Sequence, residues 1–255
     1  MARLPRLYAP DLPHLAQARF ASPLAMPGAA PGADMPDRIV AWLAEDARTQ
    51  KVAIHGWVLT PDQLVLLATP AGPAGMSALL QALGRRLAAH LRSGRVYAGR
   101  FRSTLVEPAA WVLPALIWLE TLPVRQALVA EGEHWRWSSA AQHMGAAPQG
   151  LVSDHTDYWA CGNTPFDRQA VYRRMVLDGL GLTQARRIEQ ALQGQWALGG
   201  EAFLADLSQS ASRRPVAARR GRPRKAPADN APPALENPPD NNVSPIKSEL
   251  GDTRI

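Results

Sequence analysis

A two-stranded hairpin near residue 60 is the feature that most constrains the fold of this 255-residue chain. Residues 51–59 are rich in β-branched and aromatic side chains, and Thr60-Pro61-Asp62 has the composition of a turn. Residues 63–69 then form a second apolar stretch. Its uninterrupted Leu-Val-Leu-Leu run indicates a strand that is covered on at least one face. The sequence therefore predicts an antiparallel pair of strands with other elements packed over it.

Helical periodicity flanks this hairpin on both sides. Ile39, Trp42 and Leu43 recur at helical spacing and predict an amphipathic helix over 36–48. A second apolar stripe follows the hairpin, comprising Met76, Leu79, Leu80, Leu83, Leu87 and Leu91. Residues 97–106 alternate in character and predict a further strand.

More helices are expected beyond that strand. Pro108 is suited to opening a helix, and Pro114 should kink or break it because proline removes a backbone hydrogen bond. Two further helices are predicted over 166–207, separated by Gly179-Leu180-Gly181.

The composition changes at residue 208. Eight prolines lie between Pro215 and Pro245, and no aromatic residue follows position 208. Such a segment cannot bury enough apolar surface to fold, so a disordered tail is expected. The predicted domains are an α+β domain over 1–160, a helical extension over 161–207 and the tail over 208–255.

The basic charge of the chain is local. The sequence contains 28 Lys and Arg against 22 Asp and Glu, but seven of the basic residues lie between Arg213 and Lys225. Without those seven, 21 basic residues face 22 acidic ones. A local basic run of this kind is typical of segments that bind nucleic acid.

Cysteine usage and hydropathy limit the class of protein. Cys161 is the single cysteine, which excludes an internal disulfide framework and a cysteine zinc cluster. No segment approaches the ~20 apolar residues of a membrane span. We therefore expect a cytoplasmic protein with no membrane association.

Several motifs occur in an order that resembles one family. They are Met1-Ala2-Arg3-Leu4-Pro5-Arg6, His55 to Leu67, Gly99-Arg100-Phe101-Arg102-Ser103, Trp118 to Arg125, Trp137-Ser138-Ser139 and Gly221-Arg222-Pro223-Arg224-Lys225. Together they resemble the REP-associated tyrosine transposases, a branch of the HUH single-strand DNA transposases, over roughly the first 225 residues.

The resemblance implies a fold and a chemistry. It implies an α+β fold, in which helices pack on a small antiparallel sheet with a ferredoxin-like palm, and a protein that is often dimeric and binds hairpin DNA. In the family, a tyrosine hydroxyl attacks a DNA phosphate, and a divalent metal polarises that phosphate. Two histidines separated by one residue hold the metal, because residues i and i+2 of a strand share a face.

This sequence departs from that pattern at four positions. The two histidine positions fall on Gln63 and Val65, the tyrosine position on Trp118, and a further polar position on Leu122. An amide oxygen is a weak metal ligand, valine offers none, and an indole has no oxygen that could form a phosphoester. The expectation is a transposase-like DNA-binding protein with no retained cofactor and no tyrosine transesterase activity.

Two sets of basic residues are predicted to bind DNA. The first is Arg95, Arg100 and Arg102, of which Arg100 and Arg102 are expected to share one face of a strand. The second is in the tail and comprises Arg219, Arg220, Arg222, Arg224 and Lys225. Its Gly-Arg-Pro-Arg core resembles an AT-hook, which binds the minor groove of A·T-rich duplex DNA.

Alternative functions remain open at the level of sequence. Tyr97 is the nearest tyrosine to the predicted site and could act as a displaced nucleophile in an active transposase, although a packing role is favoured. His55 could bind a metal, although a lone histidine in a strand is more often structural. The third alternative is an RNA-binding or scaffold module.

Overall fold

A four-stranded antiparallel sheet forms the centre of the described chain. The computed structural model of the protein describes residues 5–26, 35–148 and 150–217. Its strands are β1 (His14–Arg19), β2 (Val52–Thr60), β3 (Gln63–Pro70) and β4 (Arg102–Leu105). They lie in the order β2-β3-β1-β4, and each neighbouring pair is antiparallel. The prediction of an α+β fold with a small antiparallel sheet is confirmed.

Two helices connect the strands in a ferredoxin-like order. Helix α1 (Met35–Thr49) lies between β1 and β2 in the chain, and α2 (Gly75–Leu91) lies between β3 and β4. Since β1 and β2 both pair antiparallel with β3, they run parallel to each other and form a split βαβ unit. Helices α1 and α2 contact each other. Both helices match the periodicity of the sequence.

The hairpin of β2 and β3 has the predicted register. Thr60 pairs with Gln63 and Val58 pairs with Val65, so the turn is formed by Pro61 and Asp62. The register shifts between Ile54 and Gly56, which places a bulge at His55. Beyond the bulge the strand continues with a regular alternation of faces.

A glycine allows a helix to approach the sheet closely. The helix is α3 (Val112–Glu120). A Cβ on Gly56 would overlap the side chain of Leu116 and lie 3.6 Å from Leu119 Cδ2. The side of the sheet that carries Gly56 therefore faces α3, and we call it the α3 face. The opposite side is called the α2 face, because Ala18 of β1 and residues of α2 line a common groove there.

Pro114 does not kink α3. The helix begins at Val112, so Pro114 is its third residue. The first four backbone N–H groups of a helix have no partner within the helix, and proline therefore removes no helical hydrogen bond at this position. The prediction of a kink was wrong, because the helix begins at Val112 and not at Pro108.

The remaining helices follow α3 in short steps. They are α4 (Leu122–Arg125), α5 (Ala140–His143), α6 (Thr156–Trp159), α7 (Pro165–Asp178), α8 (Leu182–Gly194) and α9 (Glu201–Ser210), with a 3-10 turn at Gly132–His134. The predicted break between α7 and α8 is confirmed. The region expected to hold two helices contains three, because the helical stretch also breaks between Gly194 and Glu201.

The predicted domain boundaries remain predictions. Helix α9 extends to Ser210, across the boundary placed at residue 208, and Ser212 exchanges hydrogen bonds with the backbone of Tyr8 at 2.9 Å. Residues 218–255 lie outside the described part. Within the described residues, no helix combines the length and the apolar character that crossing a bilayer requires.

Candidate nucleic-acid interface

The two predicted ligand positions lie on the α3 face. Gln63 and Val65 share the side of β3 that carries Leu67, the cross-strand partner of Gly56. The Gln63 side chain is 5% exposed, and its Oε1 accepts a hydrogen bond from Nε2 of Gln17 on β1. Val65 is fully buried. The one amide oxygen at these positions is therefore already bonded to a neighbouring side chain.

The predicted nucleophile position is buried in α3. Trp118 is 5% exposed, and its indole Nε1 has no hydrogen-bond partner among the described residues. The Arg125 guanidinium lies over the indole with Cζ 4.9 Å from the ring centroid, and its Nη1 donates to the Trp118 carbonyl at 2.7 Å. Leu122 is also buried. Neither residue presents an oxygen that could attack a phosphate.

Helix α8 lies beside α3 on the same face. Arg102 pairs with Gln17 in the sheet, so its side chain projects from the α3 face, where it donates to Gln193 of α8. Ile188 and Leu192 of α8 are buried. Burial lowers the pKa of Arg125, and the charge of Glu189 on α8 opposes that shift. The α3 face is therefore covered by two helices.

A groove on the α2 face carries a different set of arginines. It has a volume of about 650 Å³ and runs between α2 and the segment that leads into β4. Four arginines line it, Arg6, Arg85, Arg95 and Arg100, and no acidic residue is among the lining residues. We call this the arginine groove. No described lining residue compensates this positive charge, and such a surface suits an anionic polymer.

The pKa of Arg6 is lowered by burial and by a neighbouring cation. Burial, followed by repulsion from Arg100, lowers the pKa of Arg6 to about 10, so it remains protonated at neutral pH. Arg95 donates to the Ala98 carbonyl at 2.7 Å, which holds its side chain at the rim. Arg86 is directed elsewhere, since it forms ion pairs with Glu45 at 2.6 Å and Asp46 at 3.2 Å.

Arg100 and Arg102 do not share one face of a strand. β4 begins at Arg102, so Arg100 precedes it. Arg100 lines the groove on the α2 face, whereas Arg102 bonds to α8 on the α3 face. The predicted set thus divides, with Arg95 and Arg100 in the arginine groove and Arg102 outside it. Arg219, Arg220, Arg222, Arg224 and Lys225 lie outside the described residues.

Tyr97 is a packed residue of the α2 face. Its hydroxyl donates to the Leu80 carbonyl at 3.2 Å, and its ring stacks on Phe20 with centroids 6.0 Å apart. A Cβ on Gly84 would lie only 2.7 Å from the ring, so the glycine permits this contact. Burial, assisted by the charge of Asp46, raises the pKa of Tyr97. A hydroxyl that is harder to ionise is a weaker nucleophile.

His55 has both ring nitrogens bonded. Nδ1 donates to the Ser153 carbonyl at 2.7 Å, and Nε2 accepts from the Thr69 hydroxyl at 2.8 Å. Burial lowers the pKa of His55 to about 4, although the hydrogen bond to Ser153 opposes the shift. This arrangement agrees with the structural role favoured for His55 and leaves neither nitrogen free for a metal.

Another group of residues could bring three ligand atoms together. Within the described ranges, ligand atoms of Glu131, Glu133 and His134 all lie within 4.8 Å of one another. Glu133 is also paired with Arg173 at 3.1 Å. None of the three is a predicted site residue, and the group lies at the 3-10 turn.

Sequence reasoning missed Arg6 as a groove residue. Arg85 belongs to the stretch from 63 to 106, which has no acidic residue and whose arginines are expected on the same reasoning to contact phosphates. The signal for Arg6 is its place in the motif Met1 to Arg6, which accompanies the motif Gly99 to Ser103. The structure brings residues of both motifs to one groove.

Comparisons with known proteins include a distant match to a solved structure. No family model and no curated protein matches the chain. A solved structure described as a REP-associated tyrosine transposase bound to a REP hairpin is 14% identical, with a TM-score of 0.49. The match covers 62% of this chain and 96% of that one. A similarity of this size does not establish a family or a function.

Proposed function

We propose that this chain is a transposase-like DNA-binding protein that binds hairpin or single-stranded DNA and does not cut it. The arginine groove carries the binding half of the proposal, because four arginines line it without an acidic residue. Contacts to phosphates supply most of the sequence-independent affinity of such proteins. The ordered motifs of the sequence point to hairpin DNA as the class of target.

The absence of cleavage is supported by the chemistry of the predicted catalytic positions. The family resemblance implies a divalent metal, but the residues present do not fit one. Gln63 offers an amide oxygen that Gln17 already occupies, and Val65 offers no ligand atom. Trp118 cannot form a phosphoester. We therefore derive no catalytic step for these residues.

A covalent-adduct assay tests the proposal. The protein is incubated with labelled hairpin DNA that has single-stranded flanks, in magnesium or manganese, and is analysed on a denaturing gel. We expect no adduct, while fluorescence anisotropy shows binding of the same DNA. An active tyrosine transposase serves as the positive control. A covalent adduct would contradict the loss of cleavage, and undetectable binding would contradict the DNA-binding half.

A displaced nucleophile is the alternative within the enzyme class. Tyr97 would be the nucleophile, yet its hydroxyl is bonded to Leu80 and its ring lies on the side of the sheet opposite Gln63 and Val65. If an adduct forms with the native chain, the Tyr97→Phe variant decides its origin. Loss of the adduct would establish the displaced nucleophile, whereas an unchanged yield would exclude Tyr97.

An RNA-binding role is distinguished by competition. Arginine contacts to phosphate do not distinguish RNA from DNA, so the groove alone does not set this preference. Hairpin DNA, A·T-rich duplex DNA and structured RNA should compete for the labelled hairpin at two salt concentrations. We expect the DNA hairpin to compete best, and a clear preference for RNA would overturn the DNA assignment.

The tail adds a second part to the proposal. Arg219, Arg220, Arg222, Arg224 and Lys225 are proposed to bind the minor groove of A·T-rich duplex DNA, since the Gly-Arg-Pro-Arg sequence resembles the core of an AT-hook. We also propose that the protein acts in the cytoplasm and assembles as a homodimer. Light scattering of the purified chain with and without hairpin DNA measures the assembly state.

A further inference from the structure

Helix α7 is anchored to the rest of the protein along one side. Tyr172 is fully buried, and its hydroxyl donates to Glu120 Oε2 at 2.7 Å. Arg168 is also buried, and its Nη1 donates to the Gly162 carbonyl at 3.2 Å. Arg168 and Tyr172 are one helical turn apart, so both belong to the inner side of α7. The helix is therefore held in place before any partner arrives.

The opposite side of α7 leaves large apolar side chains in solvent. Phe166 and Leu177 are 80% and 78% exposed, the highest values among the large apolar residues of the described ranges. They lie about three turns apart on one face of the helix, and Ala170 lies between them on that face. A helix with apolar residues on both sides is typically buried on both.

The same side of the helix carries one charge of each sign. Asp167 lies in the first turn of α7, and Arg174 lies two turns later. Both are exposed, and neither forms an ion pair with a described residue. We call the surface formed by Phe166, Asp167, Ala170, Arg174 and Leu177 the outer face of α7. Its carboxylate would repel a phosphate backbone, so a partner with charges of both signs fits it better.

The outer face is complementary to itself in the antiparallel direction. The midpoint between Phe166 and Leu177 and the midpoint between Asp167 and Arg174 fall on either side of Val171. One two-fold axis beside Val171 therefore brings each Phe166 against Leu177 of a second copy. The same axis brings each Asp167 against Arg174 of the second copy.

The parallel arrangement has none of these advantages. It would place Arg174 beside Arg174 and Asp167 beside Asp167, and like charges that face each other are unfavourable. In the antiparallel arrangement the small side chain of Ala170 lies near the axis, where it lets the two helices approach closely.

We propose that the outer face of α7 is the interface of a homodimer, in which the α7 helices of two copies pack antiparallel about a two-fold axis beside Val171. This inference rests on the homodimer that the proposed function includes, and it adds the surface that forms it. Helix α7 has 14 residues and spans about 21 Å. Two such helices form an interface of small area, which is typical of weak, reversible complexes.

Sedimentation velocity of the full chain without DNA tests the apolar part of the interface. We expect a monomer–dimer equilibrium with a micromolar dissociation constant. Leu177→Gln should raise that constant about 100-fold, because a two-fold interface loses the leucine contact twice. Leu91→Gln changes a leucine that ends α2 and is 43% exposed, and it serves as the matched control with a native dissociation constant. Equal dissociation constants for Leu177→Gln and Leu91→Gln would overturn the proposed interface.

A pair of charge reversals tests the antiparallel direction. Asp167→Arg and Arg174→Asp each bring like charges together twice in their own dimers, so each should weaken self-association about 10-fold. In an equimolar mixture of the two variants, every acidic side chain at these positions faces a basic one, and dimerisation should return. A mixture that associates no better than either variant alone would contradict the antiparallel arrangement. Circular dichroism of each variant confirms that α7 is folded.

The outcomes separate this interface from the other parts of the proposed function. Hairpin binding is measured on the same proteins by fluorescence anisotropy. A native chain that stays monomeric but binds the hairpin would reject the homodimer and its interface, while DNA binding stands. A native dimer that Leu177→Gln leaves intact would reject only this interface. Loss of hairpin affinity in Leu177→Gln with unchanged self-association would show that the outer face binds DNA, which contradicts the proposal.

Discussion

Replacing Glu120 with alanine is expected to lower the free energy of unfolding by about 3–5 kcal/mol. The side chain of Glu120 is fully buried. Its Oε1 accepts hydrogen bonds from His143 Nδ1 and the Ser139 hydroxyl, both at 2.5 Å. Its Oε2 accepts from the Tyr172 hydroxyl at 2.7 Å. The substitution would leave three buried donors without their acceptor.

The cost is large because this carboxylate connects separate elements. Glu120 ends α3, His143 ends α5, and Tyr172 lies in the middle of α7. Ser139 also accepts a hydrogen bond from the Trp57 backbone N–H at 2.9 Å, which links the group to β2. Burial by itself would lower the pKa of His143, but the charge and hydrogen bond of Glu120, with Asp154, raise it overall. Contact with Glu120 therefore favours the protonated form of His143 despite its burial.

Urea unfolding followed by circular dichroism measures this effect. Glu201→Ala removes an exposed carboxylate from the first turn of α9 and is expected to change stability by about 0.5 kcal/mol at most. Tyr172→Phe deletes a single donor and should cost about 1–2 kcal/mol. A loss below about 1 kcal/mol in Glu120→Ala would contradict a large contribution from this buried carboxylate.

Local pattern was sufficient for the hairpin and for helices α1 and α2. The bounds of β2 and β3 follow from the Thr60-Pro61-Asp62 turn, and the apolar stripe of α2 has the period of a helix. The shared face of Gln63 and Val65 also follows from the period of a strand. These features depend on residues that are close in sequence.

Strand β1 could not be predicted in the same way. Its sequence, His-Leu-Ala-Gln-Ala-Arg, contains no β-branched or aromatic residue, so its intrinsic preference for a strand is weak. It is nevertheless a central strand, paired with both β3 and β4. Those two neighbours impose the extended conformation, because their backbone groups need its hydrogen bonds. Tertiary context outweighed local propensity.

The groove and the buried carboxylate required contacts between distant residues. Arg6 and Phe101 are far apart in sequence and meet only in the folded chain. Tyr172 lies 52 positions from Glu120. No spacing rule relates such residues, so composition could indicate basic and polar side chains but not their partners. Arg100 and Arg102 lie on opposite sides of the sheet because β4 begins only at Arg102, and the sequence did not show that boundary.

Acidification is expected to destabilise the protein through two buried histidines. Burial lowers the pKa of His14 to about 4 and is the main cause of the same shift in His55. Both residues are largely buried, with exposures of 4% and 6%. In the unfolded chain each would titrate near 6.5. Between pH 4 and 6.5 the unfolded state therefore binds protons at these two histidines that the native state does not bind.

The sign of the effect follows from this difference in proton binding. Above pH 6.5 both histidines are neutral in both states, and their contribution to stability is fully present. As the pH falls from 6.5 to 4 the unfolded state gains protons first, and stability decreases by on the order of 3 kcal/mol for each histidine. His143, whose pKa is raised, acts in the opposite sense, because its contribution is complete below 6.5 and is lost at higher pH.

Substituting one histidine should remove its share of the pH dependence. His55→Gln cannot be protonated, so the decrease in unfolding free energy between pH 6.5 and 4 should shrink by on the order of 3 kcal/mol relative to the native chain. His90→Gln alters an exposed histidine of α2 and is the matched control. Urea unfolding of the three proteins across this pH interval measures the difference.

Because the comparison concerns slopes, the cost of losing the hydrogen bonds to Ser153 and Thr69 shifts the whole His55→Gln curve without changing its dependence on pH. Parallel curves for His55→Gln and the native chain would therefore contradict a lowered pKa at His55.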